Sequence, residues 1–225
     1  MAEETGEGNR KIQKGYFIEI DYIGRIKQSD KIFDLTDEKA AKENNIYNEK
    51  AKYGPVIICV GNNDIVKGLD NFLVGKEIGK YKIELEPEDA FGKKETGRMK
   101  IFSINHFWQQ KINPMPGLQL NFDGIIGTVK SVTGGRVAVD FNHPLAGKQI
   151  VYEIDIKRII EDNSEKLNWL AKLYLDAEAS LEGDIAKISL KSAVPEELKN
   201  KIGNKIIELI PWIKKVEFVE ATAKE

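Results

Sequence analysis

The sequence predicts an α+β fold: an antiparallel sheet wrapped around one short helix, with a small, mostly β inserted domain and an α/β C-terminal domain. Three observations lead there. Segments with the alternation of half-buried strands flank a single short helical run. That alternation stops after "KYKIELEPEDAFGKK", residues 80–94, and resumes only at "DFNHPLAGKQIVYEIDI". From about residue 162 the pattern changes to two longer helical runs with strand-like pieces between them. The 225 residues suit two or three small domains better than one of average size.

In "YFIEIDYIGRI", Ile18, Ile20 and Tyr22 alternate with Glu19 and Asp21, the period of a strand with one buried face. "KIFDLTDE" is a short apolar piece, and "KAAKENNIYNEKAKYGP" is polar with Gly54 and Pro55 as breakers. "VIICVG" reads as a second buried strand. In "NNDIVKGLDNFLVGKEIGK", Ile65, Leu69, Phe72 and Leu73 fall on one helical face, with Asn63 or Asp64 to cap its start and Gly75 to end it. Tyr81, Ile83 and Leu85 then alternate with Lys82, Glu84 and Glu86. The returning strand places Ile150, Tyr152, Ile154 and Ile156 on one face. Residues 1–92 and 141–161 therefore form one discontinuous domain.

The interruption, 93–140, has its own composition: seven Lys and Arg against three Asp and Glu, with Met99, Phe102, Phe107, Trp108, Met115 and Phe122. A structureless loop of that length is uncommon inside a compact domain, and this apolar content argues for an inserted one. "GIIGTVKSVTGGRVAVDF" reads as a hairpin turning at Gly134 and Gly135. In the tail, 162–225, "SEKLNWLAKLYLD" predicts a helix with Leu167, Leu170, Ala171 and Tyr174 on one face, and "IAKISL" a strand. "PEELKNKIGNKIIELI" predicts a second helix, proline first, presenting Leu198, Ile202, Ile206 and Leu209. "KKVEFVEA" closes the chain as a strand.

Hydrophobic residues make up 41% and charged residues 31%, the balance of a folded soluble protein. A net charge of -2 favours neither nucleic acid nor an anionic membrane as partner. The start, "MAEETGEGNRK", has no apolar stretch of a signal peptide, and the one cysteine, Cys59, sits in an apolar run, so a cytoplasmic protein with a buried thiol is expected. Two histidines, His106 and His143, lie far from each other and from Cys59; no metal site and no cofactor is expected. Neither a dinucleotide fingerprint nor a phosphate loop is present.

What remains is a set of aromatic residues near sheet edges and turns, Tyr22, Phe33, Phe91 and Tyr152, with one acid, Asp34. Periodicity alone makes Tyr22 and Tyr152 ordinary core residues and Asp34 a turn residue. The order of the pieces says more. Gly68-Leu69, "VGKEIG", "PEDAFG" and "NHPLAGK" together resemble the FKBP family of peptidyl-prolyl isomerases over residues 15–160, in the SlyD-like and archaeal long-type branch with a domain inserted in the flap.

That resemblance implies a fold, an activity and a site. It assigns Tyr22, Phe33, Asp34, Phe91 and Tyr152 to catalysis and Ile65, Val66, Leu69 and, at the mouth, Leu145 to substrate binding. It makes 93–140 a chaperone-like domain, where Phe107, Trp108 and Met115 are candidates for contact with client chains. Partners would be unfolded or nascent polypeptides, with a homodimer through the C-terminal domain as a further expectation. Two departures matter. Leu69 stands where many members carry Trp, and Phe91, often Tyr elsewhere, has no hydroxyl to donate. A holdase or assembly chaperone on the same scaffold is the alternative they keep open.

Overall fold

The computed structural model describes residues 10–220. In chain order the first elements are β1 (Phe17–Ile26), β2 (Ile32–Leu35), α1 (Glu38–Glu43), β3 (Val56–Cys59), α2 (Lys67–Leu73) and β4 (Gly79–Leu85). After these come β5 (Met99–Ser103), α3 (Ile104–Gln109), β6 (Gln119–Phe122), β7 (Ile125–Thr133) and β8 (Arg136–Asp140). The chain returns as β9 (Ile150–Ile160) and ends with α4 (Asn163–Leu175), β10 (Glu178–Glu182), β11 (Ile185–Leu190), α5 (Glu196–Leu209) and β12 (Lys215–Glu220). Two compact units result. Among the described residues, one holds those up to Arg25, Ile32–Ile83 and those from Tyr152; the other holds Ile26–Lys31 and Glu84–Val151.

In the first unit the sheet runs β2-β1-β9-β4, with β3 paired antiparallel to β1 from Phe17↔Cys59 to Ile20↔Val56. The alternation expected in β1, β4 and β9 is present: Ile18, Ile20, Leu85, Ile154 and Ile156 are buried while Lys80, Lys82 and Glu84 are exposed. Helix α2 buries Leu69 and Leu73, and its Phe72 meets Tyr81 of β4 edge to face at 6.0 Å. The helix is shorter than its sequence pattern. Its N-cap is Val66, with no side-chain cap, because Asp64 is already used: it accepts from the Cys59 amide (2.8 Å) and the Asn62 side chain (2.7 Å). The polar stretch after β2 does contain a helix, α1, capped by Asp37 through the Ala40 amide.

The opposite face of β1 is buried at its start, by Phe17. Phe17 packs edge to face on Trp169 of α4 at 5.7 Å. One apolar cluster joins Phe17, Cys59 and Ile160 to Leu167, Leu170, Ala186, Ile188, Ile202 and Ile206 of the C-terminal elements. Those elements form a three-stranded sheet, β10-β11-β12, antiparallel then parallel. Strand β10 escapes the sequence reading because "EASLE" carries only Ala179 and Leu181 as inward residues. Pro195 stands at the N-cap of α5, one place before the expected position, and Leu198 is exposed rather than core. Burial pushes the Cys59 thiol up to about 12, with Asp64 and Asp70 adding to the effect, so it is unreactive at neutral pH.

The second unit is a four-stranded antiparallel sheet, β5-β8-β7-β6, with the β7–β8 hairpin turning at Gly134 and Gly135 as expected. Paired residues share a face, so Phe102, Val137 and Val132 form an inner row, continued by Val129 with Val139. Phe122, Phe141 and Phe107 complete this core. Gly127 lies in it because a Cβ there would stand 2.6 Å from Val139 and 2.8 Å from Phe141. The segments entering and leaving the sheet are laced together. Gly147 donates to the Gly92 carbonyl (2.8 Å) and Phe141 to that of Arg98 (2.9 Å). The Asn142 side chain both accepts from and donates to the Glu95 backbone (2.9 and 3.0 Å).

Candidate active site

Residue Tyr22 sits mid-strand in β1, and its backbone is pinned by Thr36. The Thr36 hydroxyl accepts the Tyr22 amide (3.0 Å) and donates to Asp21 (2.7 Å), while the Thr36 amide donates to the Tyr22 carbonyl (3.0 Å). Thr36 is itself buried, a polar side chain satisfied in the interior. The Tyr22 hydroxyl donates to Asp34 Oδ2 at 2.9 Å. Burial raises the Tyr22 pKa, and the Asp34 charge and this bond raise it further; burial also raises that of Tyr152, with Asp34 second. Both phenols are therefore protonated at neutral pH, and the single proton of Tyr22 is committed to Asp34.

Around this pair the rings meet at steep angles. Tyr152 of β9 contacts Tyr22 at 5.9 Å and 73°, and Phe33 of β2 at 5.8 Å and 82°. Edge-to-face contacts of this kind contribute about 0.5–1.5 kcal/mol each beyond area burial. Tyr22, Phe33, Asp34 and Tyr152 are thus brought together from three adjacent strands. Leu69 lies buried in the first turn of α2, and Ile65 and Val66 are half-buried in the segment leading into it. Phe91 and Leu145 belong to the second unit, where Phe91 stacks on His143 at 4.8 Å and 3°.

Sequence reasoning missed two supports of this site. Thr36 had only its place after the Phe-Asp pair to mark it. Gly24 could have been found: a glycine inside a strand pattern signals a close approach. It pairs with Asp34 across β1 and β2, and a Cβ on it would stand 2.7 Å from Phe33 Cζ and 3.0 Å from Tyr152 Cε1. Gly24→Ala is expected to push both rings out of place and lower kcat/KM about tenfold, with a stability loss in the range of about 1–3 kcal/mol typical of overpacking. Proline-tetrapeptide exchange and urea unfolding measure the two effects; an unchanged kcat/KM refutes the spacing role.

One sequence expectation needs correction. Phe107, a candidate for client contact, is 2% exposed and forms the centre of the inserted sheet's core. An inserted segment of about fifty residues has little apolar material to spare, and this inward ring is needed for its own stability. Trp108 and Met115 are exposed, as are Met99, Ile101 and Ile126. Strand pairing places Met99, Ile101 and Ile126 on the outer face of this sheet, opposite Phe102 and Val137.

Comparison with known proteins identifies the family. Residues 8–107 match the FKBP-type peptidyl-prolyl cis-trans isomerase family, and residues 100–145 match the family described as FKBP26, IF domain. A short-type peptidyl-prolyl cis-trans isomerase of Methanocaldococcus jannaschii is 30% identical over 155 residues, covering 68% of this chain and 98% of the relative. The chain belongs to the FKBP-type peptidyl-prolyl cis-trans isomerases. The FKBP-type 16 kDa isomerase of Escherichia coli K12 is 30% identical over 110 residues, 47% of this chain and 74% of its own. The SlyD isomerase of Haemophilus influenzae is 26% identical over 163 residues, 70% and 77%. This FKBP-type isomerase carries its C-terminal elements beyond both family matches, which end at residues 107 and 145. No helix among the described residues is long and apolar enough to cross a membrane.

Proposed function

We propose that this isomerase acts on X-Pro bonds of unfolded and partly folded chains, and that its inserted sheet holds those chains for it. The Tyr22–Asp34 bond, set among the Tyr22, Phe33 and Tyr152 rings, carries the catalytic part of this reading. Amide rotation is slow because twisting the planar bond sacrifices about 18–20 kcal/mol of resonance and related terms. No bond is broken, so no nucleophile is required. A thousandfold acceleration needs about 4 kcal/mol of preferential stabilisation of the twisted form. The twisted amide is less polar at nitrogen, so an apolar wall that excludes water disfavours it less than the planar ground state.

In this reading Phe33, Leu69, Phe91 and Tyr152 grip the pyrrolidine ring, and Ile65, Val66 and Leu145 shape the approach to it. Asp34 holds the Tyr22 hydroxyl in orientation and sets the local field on the substrate carbonyl. Capture is assigned to Met99, Ile101 and Ile126, with Trp108 and Met115, because exposed apolar side chains, methionine above all, adapt to varied partners.

Isomer exchange of a proline tetrapeptide, followed by NMR without a coupled protease, tests the catalytic assignment. Asp34→Ala is expected to lower kcat/KM about tenfold, the size of one charge-assisted hydrogen bond. An unchanged rate with intact fold removes Asp34 from the mechanism. Full-length protein that accelerates neither the tetrapeptide nor a proline-limited refolding, at any dose, would favour the holdase reading instead.

A further inference from the structure

The second unit contains a side chain that no part of the catalytic reading uses. The His143 imidazole lies flat on the Phe91 ring, 4.8 Å between centroids and 3° between planes. Its Nδ1 accepts the Leu145 amide at 3.2 Å. The Ala146 amide closes a turn onto the His143 carbonyl at 2.9 Å, with Pro144 second in the turn, where its fixed φ is favourable. An accepting Nδ1 puts the proton of the neutral ring on Nε2.

We propose that His143 is the positioning residue of this flap: one ring fixes Phe91 by its face and Leu145 by its Nδ1. The inference rests on the reading that Phe91 and Leu145 contact substrate. It adds an acid sensitivity. A protonated imidazole has donors at both nitrogens and can no longer accept the Leu145 amide. Its face can still lie on Phe91, so acid releases Leu145 selectively. The charged groups on the segments framing His143 are Glu88, Asp89, Lys93 and Lys94 on the Phe91 side and Asp140 and Lys148 on its own. Glu88 is paired with Lys93, and Asp140 with Lys94. His106, the other histidine, is on α3.

The test is the pH profile of tetrapeptide kcat/KM in the full chain, with the His143 ring protons followed by NMR in the same samples. The wild-type value is expected to fall about fivefold on acidification, the size of one net hydrogen bond, along the titration curve of His143 itself. His143→Asn, whose carbonyl can replace Nδ1 but does not titrate, should flatten the profile. His143→Phe, which keeps the face and loses the acceptor, should be flat at about the acid-limb value. A slope that persists in His143→Asn, or one that follows another titration, overturns the inference. Phe91→Ala and Leu145→Ala separate the two levels. If both lower kcat/KM while the His143 variants behave as wild type at every pH, the positioning role fails alone. If neither changes kcat/KM, the assignment of Phe91 and Leu145 to the site fails, and the positioning role with it.

Discussion

Excision of residues 96–139, with an Asn-Gly turn in their place, is expected to slow catalysed refolding of a proline-limited protein about 100-fold and to leave tetrapeptide turnover within about threefold of wild type. The asymmetry follows from what each substrate needs. A tetrapeptide is small enough to be handled by the aromatic site alone. A refolding chain presents its X-Pro bond rarely, and a second, weak attachment turns each later encounter into an intramolecular one, which raises overall avidity by about 10²–10⁴. The cut is feasible because Glu95 and Asn142 already lie in hydrogen-bond contact, as do Gly92 and Gly147, so a two-residue hairpin turn spans the gap. The point variants Ile101→Ser and Ile126→Ser keep the inserted sheet and remove part of its outer apolar face. They should reproduce a fraction of the loss on the protein substrate and none on the tetrapeptide. Equal losses on both substrates would count against capture and point to damage in the flap.

The readable parts of this fold were those with one buried face and side chains large enough to show a period. Strands β1, β4 and β9 alternate strongly, and the β7–β8 hairpin carries its turn glycines in sequence. Strand β10 did not announce itself, because small or polar residues fill most of its positions; β6 alternates Leu120 and Phe122 with Gln119 and Asn121 but is only four residues long, too short to show a period. The helix α2 was overextended at its start because Asp64, a good cap by type, is engaged by the turn before it. Within the candidate site, the order of motifs located Tyr22, Phe33, Asp34 and Tyr152, and the structure joins these four by direct contact. The supports were harder to see. Thr36 matters through two backbone bonds to one tyrosine, and Gly24 through the absence of a methyl group. Neither leaves a periodic signature. Phe107 and Trp108 show the same limit in reverse: adjacent aromatic residues on one short helix, one buried and one exposed, cannot be told apart by type.

Truncation of Phe17 to alanine is expected to destabilise the first unit by about 3–5 kcal/mol, within reach of an average domain's whole margin. Strand alternation puts Phe17 on the face of β1 opposite Ile18 and Ile20, a face a lone half-buried sheet would leave to solvent. Instead it is 1% exposed, edge-on to Trp169, in a cluster that includes Leu167, Leu170 and Ile206. At about sixty residues the tail has a marginal core by itself, and sharing one with β1 and β3 supplies the missing apolar area. Arg158 reinforces the junction by bridging Glu19 of β1 and Glu165 of α4, though exposed ion pairs of this kind contribute less than about 1 kcal/mol. The consequence is cooperative unfolding. Trp169 fluorescence and far-ultraviolet circular dichroism should report one urea midpoint for this unit in wild type, shifted together in Phe17→Ala. Two separate midpoints, or a shift worth less than about 1 kcal/mol, would mean that the tail folds as an independent body, because deletion of a fully buried phenylalanine ring from a shared core leaves a cavity that neither side can close.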